Sequence, residues 1–364
     1  MNNNDLLNQR LQNQKIEGIK AETPEEAVRW MGAIQAQEYS HALWAVGLRT
    51  KTATKKAVEE AIIEKKIIRT WPMRGTLHFV VPDQARWLLN LSKERMRQKS
   101  KSRMKELGID DNLIEYCKGI FIEELKDESL RTRQELFALL EKEGIGTKDQ
   151  RGYHILWQIA QDRLISMGPV AEKKQFFMLL KNVSPNLSEV PREEALGKLA
   201  GRYFTSRGPA TVYEFSWWAG LFVEDARTGI EIIRDNLTSK VSGEKEFWVS
   251  GIEEEVKIDH EPKVRFLPSF DEYLIGYKDR SEVLKNELIG EVIPSKNGML
   301  SPIIVVDGKV TGIWKPTVRK NGVDLDFNFS IPFPYEKELI YKEANRYSDF
   351  IGLPLSIVTI AMRK

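Results

Sequence analysis

The sequence has little cysteine, little histidine and no long apolar run. Its 364 residues include one cysteine, Cys117, and four histidines. A single cysteine forms no disulfide within the chain, which fits a reducing cytoplasm. No apolar run approaches the ~20 residues that span a membrane, and the polar residues 1–5 do not begin a signal peptide. We therefore expect a cytoplasmic protein that does not enter the membrane.

Closely spaced metal ligands and a strong net charge are also missing. The histidines are scattered, so the pattern does not favour a zinc site, and we expect neither a metal nor an organic cofactor. Lysine and arginine total 55 against 53 acidic residues, for a net charge of +2. Any attraction to nucleic acid must then come from local patches.

What the sequence does contain is a repeated order of helices and β-rich segments. Thr23, Thr132 and Thr211 each precede a glutamate by three residues, the pattern of a helix-starting capping box. We predict helices from residue 24 to about 35, over 133–142, and from 212. Pairs of β-rich segments follow the helices of each region. These segments lie at 67–81, at 165–169 with 176–180, and at 238–242 with 245–250.

Helices followed by a hairpin are the layout of a winged helix, a helix-turn-helix variant. We predict three such modules in tandem, at residues 1–110, 111–188 and 189–254. From about residue 255, prolines and glycines punctuate short apolar runs, and Asp307-Gly308 is a hairpin signal. With a helix of about 335–352 and a last strand at 355–362, we predict a small, mostly β, barrel-like domain over 255–364. The expected fold class is α+β.

The most basic segment, residues 93–105, carries seven basic side chains against one acid, Glu94. Such runs usually form a solvated helix face, but in a chain of net charge +2 we favour a surface that contacts phosphates. Charges at every second position spread around a helix, so not all seven can face one duplex. The expected DNA contacts are Lys93, Arg95, Arg97, Lys99, Lys101 and Arg103.

The first predicted hairpin also carries a polar face. Alternate side chains of a strand share a face, so Arg74, Thr76 and His78 should lie together. This face is either the polar outside of an ordinary wing, or a surface that lies against DNA or beside Gln35 and Gln37. With Arg69 of the same hairpin, these three residues complete the expected DNA contacts.

Several stretches, in chain order, resemble the winged-helix DNA glycosylases of the AlkZ and YcaQ type. They are residues 34–37, 74–78, 208–211, 215–221, 267–274, 276–280 and 308–315. The resemblance covers nearly the whole chain. It implies three winged helices around a DNA channel, a C-terminal β-barrel, and hydrolytic removal of N-alkylated purines, including bases in interstrand crosslinks.

The family signature Gln-apolar-Gln corresponds to Gln35-Ala36-Gln37, which implies that Gln35 and Gln37 are catalytic. Residues two apart on an α-helix point ~200° apart, so the two amides can share a pocket only if the helix has stopped near Ile34. An alkyl group at N7 or N3 makes the purine cationic and already a good leaving group. A glutamine carbonyl can then hold the attacking water and support the developing charge. Which glutamine holds the water is left open.

Two functions are compatible with the sequence. One is a monofunctional glycosylase acting on double-stranded DNA, and the other is a non-catalytic winged-helix DNA-binding protein or transcriptional regulator. A typical regulator binds a palindrome as a dimer, whereas three modules in one chain favour a monomer around one lesion.

Four charged residues and two tryptophans receive structural interpretations. Asp271, Glu272, Asp279 and Arg280 are expected to form ion pairs between domains, and Asp271 is a second candidate for the active site. Trp217 and Trp218 are expected in the core.

Overall fold

The computed structural model describes residues 3–171, 174–185, 189–251, 262–295 and 298–362. Helices begin where the sequence places capping threonines. Thr132 and Thr211 form complete capping boxes with the glutamates three residues on. Thr23 accepts the Glu26 amide, but the Glu26 carboxylate accepts the amide of Glu22 instead of returning to Thr23. Each such cap stabilises its helix by about 1 kcal/mol.

Helices occupy most of the first 235 residues, and further helices lie in the later part of the chain. They are α1 (Asn3–Asn13), α2 (Pro24–Met31), α3 (Tyr39–Arg49), α4 (Lys55–Ile63), α5 (Pro82–Glu106), α6 (Asp111–Glu124), α7 (Arg133–Lys142), α8 (Arg151–Gln161), α9 (Arg192–Arg207), α10 (Val212–Ala219), α11 (Val223–Ile232), α12 (Glu272–Ile275), α13 (Ile289–Val292) and α14 (Glu338–Ile351).

The strands include all three predicted hairpins. They are β1 (Ile34–Gln35), β2 (Ile68–Met73), β3 (Thr76–Val80), β4 (Arg131–Thr132), β5 (Ile165–Ala171), β6 (Lys174–Leu179), β7 (Leu237–Ser242), β8 (Lys245–Ser250), β9 (Val264–Leu267), β10 (Ile303–Val306), β11 (Lys309–Val318), β12 (Val323–Phe329) and β13 (Leu355–Met362).

The first two hairpins belong to one sheet. Its strand order is β1-β3-β2-β5-β6-β4, and Arg69 of β2 pairs with Met167 of β5. The third hairpin, β7-β8, forms a separate two-stranded sheet. The expected domain boundaries after residues 188 and 254 fall on segments outside the described residues.

Helix α2 is shorter than the sequence suggested. The prediction that it reaches about Gln35 was wrong, because it ends at Met31 and Gly32 takes a left-handed φ of 71°. A side chain at Gly32 would be strained there, and its Cβ would lie 3.2 Å from the Cβ of Arg202. The chain then enters β1, so Gln35 lies in a strand and Gln37 in the bend that follows it, and neither lies on a helix.

The C-terminal strands form an open sheet. Its order is β13-β12-β11-β10-β9, so β13 and β9 are its edges. Antiparallel β10 and β11 meet at the predicted turn, where Asp307 and Gly308 have φ angles of 47° and 82°. Strands β12 and β13 are parallel, joined through α14, because parallel neighbours need a crossover. The mixed α+β class is confirmed, but within the described residues the sheet does not close into the expected barrel.

The two ends of the chain share one hydrophobic core. Apolar residues of α1 to α4 pack with those of β9 to β12 and α14 in a single buried cluster. A second cluster joins α5 to α9, α10 and α11, and a third joins α6, α7 and α8 to the first hairpins. Within the described residues, no helix combines the length and the apolar character needed to cross a membrane.

Candidate active site

The glutamine segment, residues 34–37, lies along the first hairpin. Gln35 of β1 is opposite His78 of β3, and the Ala36 amide donates to the Leu77 carbonyl at 2.7 Å. The Gln37 side-chain oxygen lies 3.4 Å from the Leu77 amide that donates to it. Because the helix has already ended, both amide side chains reach the same hairpin, as a shared site requires.

Gln35 is buried and held at both ends. Its backbone amide donates to Oε1 of Glu272 at 2.8 Å. Its side-chain oxygen accepts from Nη2 of Arg74 at 3.1 Å. Arginine only donates, so this contact fixes which end of the Gln35 amide is the carbonyl. The Gln35 side chain is therefore oriented before any ligand binds.

Gln37 is exposed, and Arg69 supports its backbone. Arg69 donates to the Ala36 carbonyl at 2.9 Å, the Gln37 carbonyl at 3.1 Å and the Gln175 side chain at 3.0 Å. Burial lowers the pKa of Arg69 to about 10, so the guanidinium stays charged at neutral pH. These hydrogen bonds hold the glutamine segment, and the DNA contact that the sequence suggested for Arg69 stays a prediction.

His78 is buried and neutral. Its Nδ1 donates to the Thr76 carbonyl at 2.9 Å, and its Nε2 faces Nη2 of Arg74 at 3.4 Å. Burial, and then the charge of Arg74, lower the pKa of His78 to about 3. Its side chain is completely shielded from solvent, so His78 faces Arg74 beside the glutamine segment and is not part of a solvent-exposed outer face.

Arg74 occupies the hairpin turn beside Gln35. It adopts a left-handed φ of 56°, which costs a non-glycine residue about 1–2 kcal/mol. Its guanidinium lies 5.1 Å from the ring centre of Trp217. Among the described residues, its Nη1 and the Thr76 hydroxyl are buried without a hydrogen-bond partner. Buried polar groups usually find partners, and these two groups are exceptions within the described residues.

The turn can approach α10 because residue 220 is glycine. Gly220 has a φ of 69°, and a Cβ there would lie 3.2 Å from Cγ of Arg74. Trp217 of α10 is half-buried under Arg74 and Arg280. Trp218 is completely buried, as expected of a core residue.

The basic side chains of α5 diverge. Lys93 pairs with Asp162 at 3.1 Å, and Arg97 with Asp111 at 2.9 Å, while Arg95 donates to the Leu221 carbonyl. Lys99 and Lys101 are exposed. Arg103 makes only a surface pair with Glu106, which contributes little. Part of the predicted set is therefore engaged within the protein and part is open to solvent.

A basic groove of about 310 Å³ connects the hairpin turn to α5 and α8. Arg74, Lys99 and Arg103 line it, together with Tyr153, His154 and Trp157. The α8 residues were missed in the sequence because their helix reads as ordinary core spacing. Aromatic and basic side chains together suit a nucleic-acid strand, since bases stack on the former and phosphates pair with the latter.

The acidic residues singled out in the sequence form ion pairs. Asp271 pairs with Arg49 at 2.8 Å and Glu272 with Arg207 at 2.7 Å, all four side chains being fully buried. Asp279 pairs with Lys245 at the surface. Asp271 therefore lies in an ion pair that is shielded from solvent. No group of three or more potential metal ligands occurs in the part of the chain that the structure describes.

A basic groove lined with aromatic side chains, next to Arg74 and the glutamine segment, is compatible with binding of a nucleic acid. The profile of the family described as DNA glycosylase AlkZ-like matches residues 28–350. The chain therefore belongs to the AlkZ-like DNA glycosylases, hydrolases that act on N-glycosyl bonds. The resemblance seen in the sequence is confirmed.

Two comparisons with a Streptomyces protein extend over both chains. The interstrand DNA cross-link repair glycosylase of Streptomyces sahachiroi is 27% identical over 372 residues, which cover 96% of this chain and 97% of that protein. The solved structure of Streptomyces sahachiroi DNA glycosylase AlkZ matches with a TM-score of 0.82 and 25% identity, covering 98% of each chain.

Proposed function

We propose that this protein hydrolyses the N-glycosidic bond of purines carrying an N7- or N3-alkyl group, using a water held by Gln35 and Gln37. The observation that carries the proposal is the geometry of the glutamine segment. Its helix ends early, its two amides reach one hairpin, and Gln35 donates to Glu272 and accepts from Arg74, both far away in sequence.

The surroundings suit a leaving group that is already cationic. His78 is neutral above a pKa of about 3, so it is not a general acid at neutral pH. A carbonyl oxygen has two lone pairs, so Gln35 can accept from Arg74 and still hold a water. Gln37, being exposed, can contact the same water or the sugar. The rate of excision should then be nearly constant from pH 6 to 8.

Double-stranded DNA is the proposed partner, bound by a monomer. The basic groove and the exposed part of α5 supply cationic contacts next to the amide pair. The proposed modules are three winged helices at 1–110, 111–188 and 189–254, followed by the C-terminal domain at 255–364. Because the groove is open on one side and the Streptomyces relative is named for cross-link repair, the proposed substrates include bases in interstrand crosslinks.

The test is incubation with a duplex containing N7-methylguanine, followed by alkaline cleavage of abasic sites. We expect excision by the wild type and a strong loss in the Gln35→Ala, Gln37→Ala double variant. Gln161→Ala is the matched control, since Gln161 is a buried glutamine that donates to the Trp71 carbonyl at 2.8 Å. Binding without excision by the wild type would instead support a non-catalytic DNA-binding protein. A crosslinked duplex, tested in parallel, decides whether that lesion is accepted.

A further inference from the structure

Three parts of the chain that are distant in sequence meet at the backbone of Gln35. Arg207 is the last residue of α9, Glu272 is the first residue of α12, and Gln35 lies in β1. The side chains of Arg207 and Glu272 are completely buried. An ion pair removed from solvent requires close geometry and full hydrogen bonding to offset its desolvation.

The Glu272 carboxylate has a partner on each oxygen. Oε1 accepts the backbone amide of Gln35 at 2.8 Å. Oε2 accepts from Nη2 of Arg207 at 2.7 Å, from Nε of Arg207 at 3.1 Å and from the Trp218 indole at 2.8 Å. Burial alone would raise the pKa of Glu272, but Arg207 reverses the effect and lowers it to about 2. The group is therefore an ionised acceptor at neutral pH.

Arg207 also holds the backbone that leads into the glutamine segment. It donates to the Met31 carbonyl at 2.7 Å and to the Ala33 carbonyl at 2.8 Å. These carbonyls lie on either side of Gly32, where α2 ends. The same ion pair thus fixes the exit from the helix and the first backbone amide of the catalytic signature.

We propose that Arg207 and Glu272 are positioning residues that hold Gln35 in register for attack on the glycosidic bond. This inference rests on the proposed function. Gln35 is tethered at its backbone by Glu272 and at its side chain by Arg74, so its amide has little freedom left. A misplacement of about 1 Å can cost an enzyme roughly 10²-fold in rate, which is the scale on which this support acts.

The neighbouring residue supplies a matched control. Asp271 and Arg49 form an equally buried pair, with distances of 2.8 and 2.9 Å. Arg49 also donates to Ala45 and Gln14, and Asp271 accepts the Tyr273 amide. These partners all lie outside the glutamine segment. Removing either pair should destabilise the protein, but only the Glu272 pair should disturb Gln35.

The experiment compares Glu272→Gln with Asp271→Asn. In Glu272→Gln, the new amide should turn its oxygen to Arg207, which leaves its NH₂ group facing the Gln35 amide, donor against donor. We expect single-turnover excision of N7-methylguanine to fall about 10- to 100-fold below that of Asp271→Asn. DNA affinity should stay within about twofold, and the two variants should lose similar thermal stability. All rates are taken below both unfolding midpoints.

The outcomes separate the two hypotheses. An active wild type with equal rates in the two variants would overturn the positioning role alone. An inactive wild type would contradict the proposed function, and the positioning role with it. If Glu272→Gln does not fold, Arg207→Lys keeps the charge but cannot reach Met31, Ala33 and Glu272 together. It should show the same rate loss relative to Arg49→Lys, and equal rates in that pair would overturn the role.

Discussion

The cationic side chains around the glutamine segment form hydrogen bonds within the protein, whereas some of those on helix α5 are exposed to solvent. Around the glutamines, Arg69, Arg74 and Arg207 donate to backbone carbonyls, to Gln35 and to Glu272. On α5, Lys99 and Lys101 point to solvent. The arginines near the glutamine segment form hydrogen bonds within the protein, so fewer exposed charges are left to attract DNA than the composition of the basic segment suggests.

The largest expected effect on the excision rate comes from replacing the glutamines themselves. Gln35→Ala and Gln37→Ala should each lower the excision rate by about 10²–10³, because each removes a group that positions water or supports developing charge. Neither glutamine carries charge, so DNA affinity should change little, while Gln35→Ala should cost about 1–3 kcal/mol of stability because it leaves a buried donor of Arg74 unpaired. The rates are measured under single turnover with enzyme in excess. Excision at the wild-type rate in both variants would remove the glutamines from the mechanism.

Arg69 distinguishes an organising role from a DNA-contacting role. Arg69→Gln should slow excision by about tenfold, since hydrogen bonds from a charged group contribute about 1.5–3 kcal/mol and two of them hold the Ala36 and Gln37 carbonyls. The salt dependence of DNA binding should not change. A phosphate contact would instead reduce the slope of log affinity against log salt by about 0.9. A flatter slope at an unchanged rate would restore the interpretation first drawn from the sequence.

Two triple variants compare the exposed basic residues of α5 with those that are paired within the protein. Neutralising Lys99, Lys101 and Arg103 should flatten the salt slope by about two to three, because each neutralised phosphate accounts for roughly 0.9 of that slope. The matched triple is Lys93, Arg95 and Arg97, whose side chains bind other parts of the protein. Its slope should fall by less than about one. Equal slopes in both triples would move the DNA surface away from the basic groove.

The smallest effect concerns acid stability at His78. Its folded pKa, about 3, lies below the unfolded value of about 6.5. Between these values the unfolded chain binds more protons, so stability falls as the pH falls below about 6.5. His78→Asn should remove up to about 1.4 kcal/mol per pH unit from this slope. The measurement is urea unfolding at pH 6.5, 5.5 and 4.5. Since Glu272 adds its loss only near and below its unfolded pKa of about 4.3, parallel slopes above pH 5 would contradict a buried neutral histidine.

The sequence predicted the elements better than it predicted their contacts. Capping residues and hairpin turns are local signals, so α7, α10 and the turn at Asp307 could be placed in advance. The contact between Gln35 and Glu272 joins residues 237 positions apart, and no local pattern reveals such a pair. The shared sheet of the first two hairpins was missed for the same reason, because alternation shows a strand's faces but not its neighbour.

The site itself was foreseen only in part. The signature marked Gln35 and Gln37, and the hairpin marked Arg74. Alternation grouped His78 with Arg74 but left open whether their face points outward or lies beside the glutamines, because it carries no information on which face a neighbouring strand covers. Tyr153 could not have been recognised, since its position depends on how α8 packs against α5.

The central claim, hydrolysis by a glutamine-held water, is tested most directly by borohydride trapping during turnover, with excision measured in the same reaction. An enzyme that attacks through a lysine forms a Schiff base, which requires an amine with a lowered pKa. Although Lys99 is largely exposed, partial desolvation and the charge of Arg95 lower its pKa, so Lys99→Gln is run alongside the wild type. The account predicts excised base, an intact strand with an abasic site and no covalent adduct. Any trapped protein–DNA adduct would contradict hydrolysis by water, and loss of that adduct in Lys99→Gln would identify Lys99 as the attacking amine.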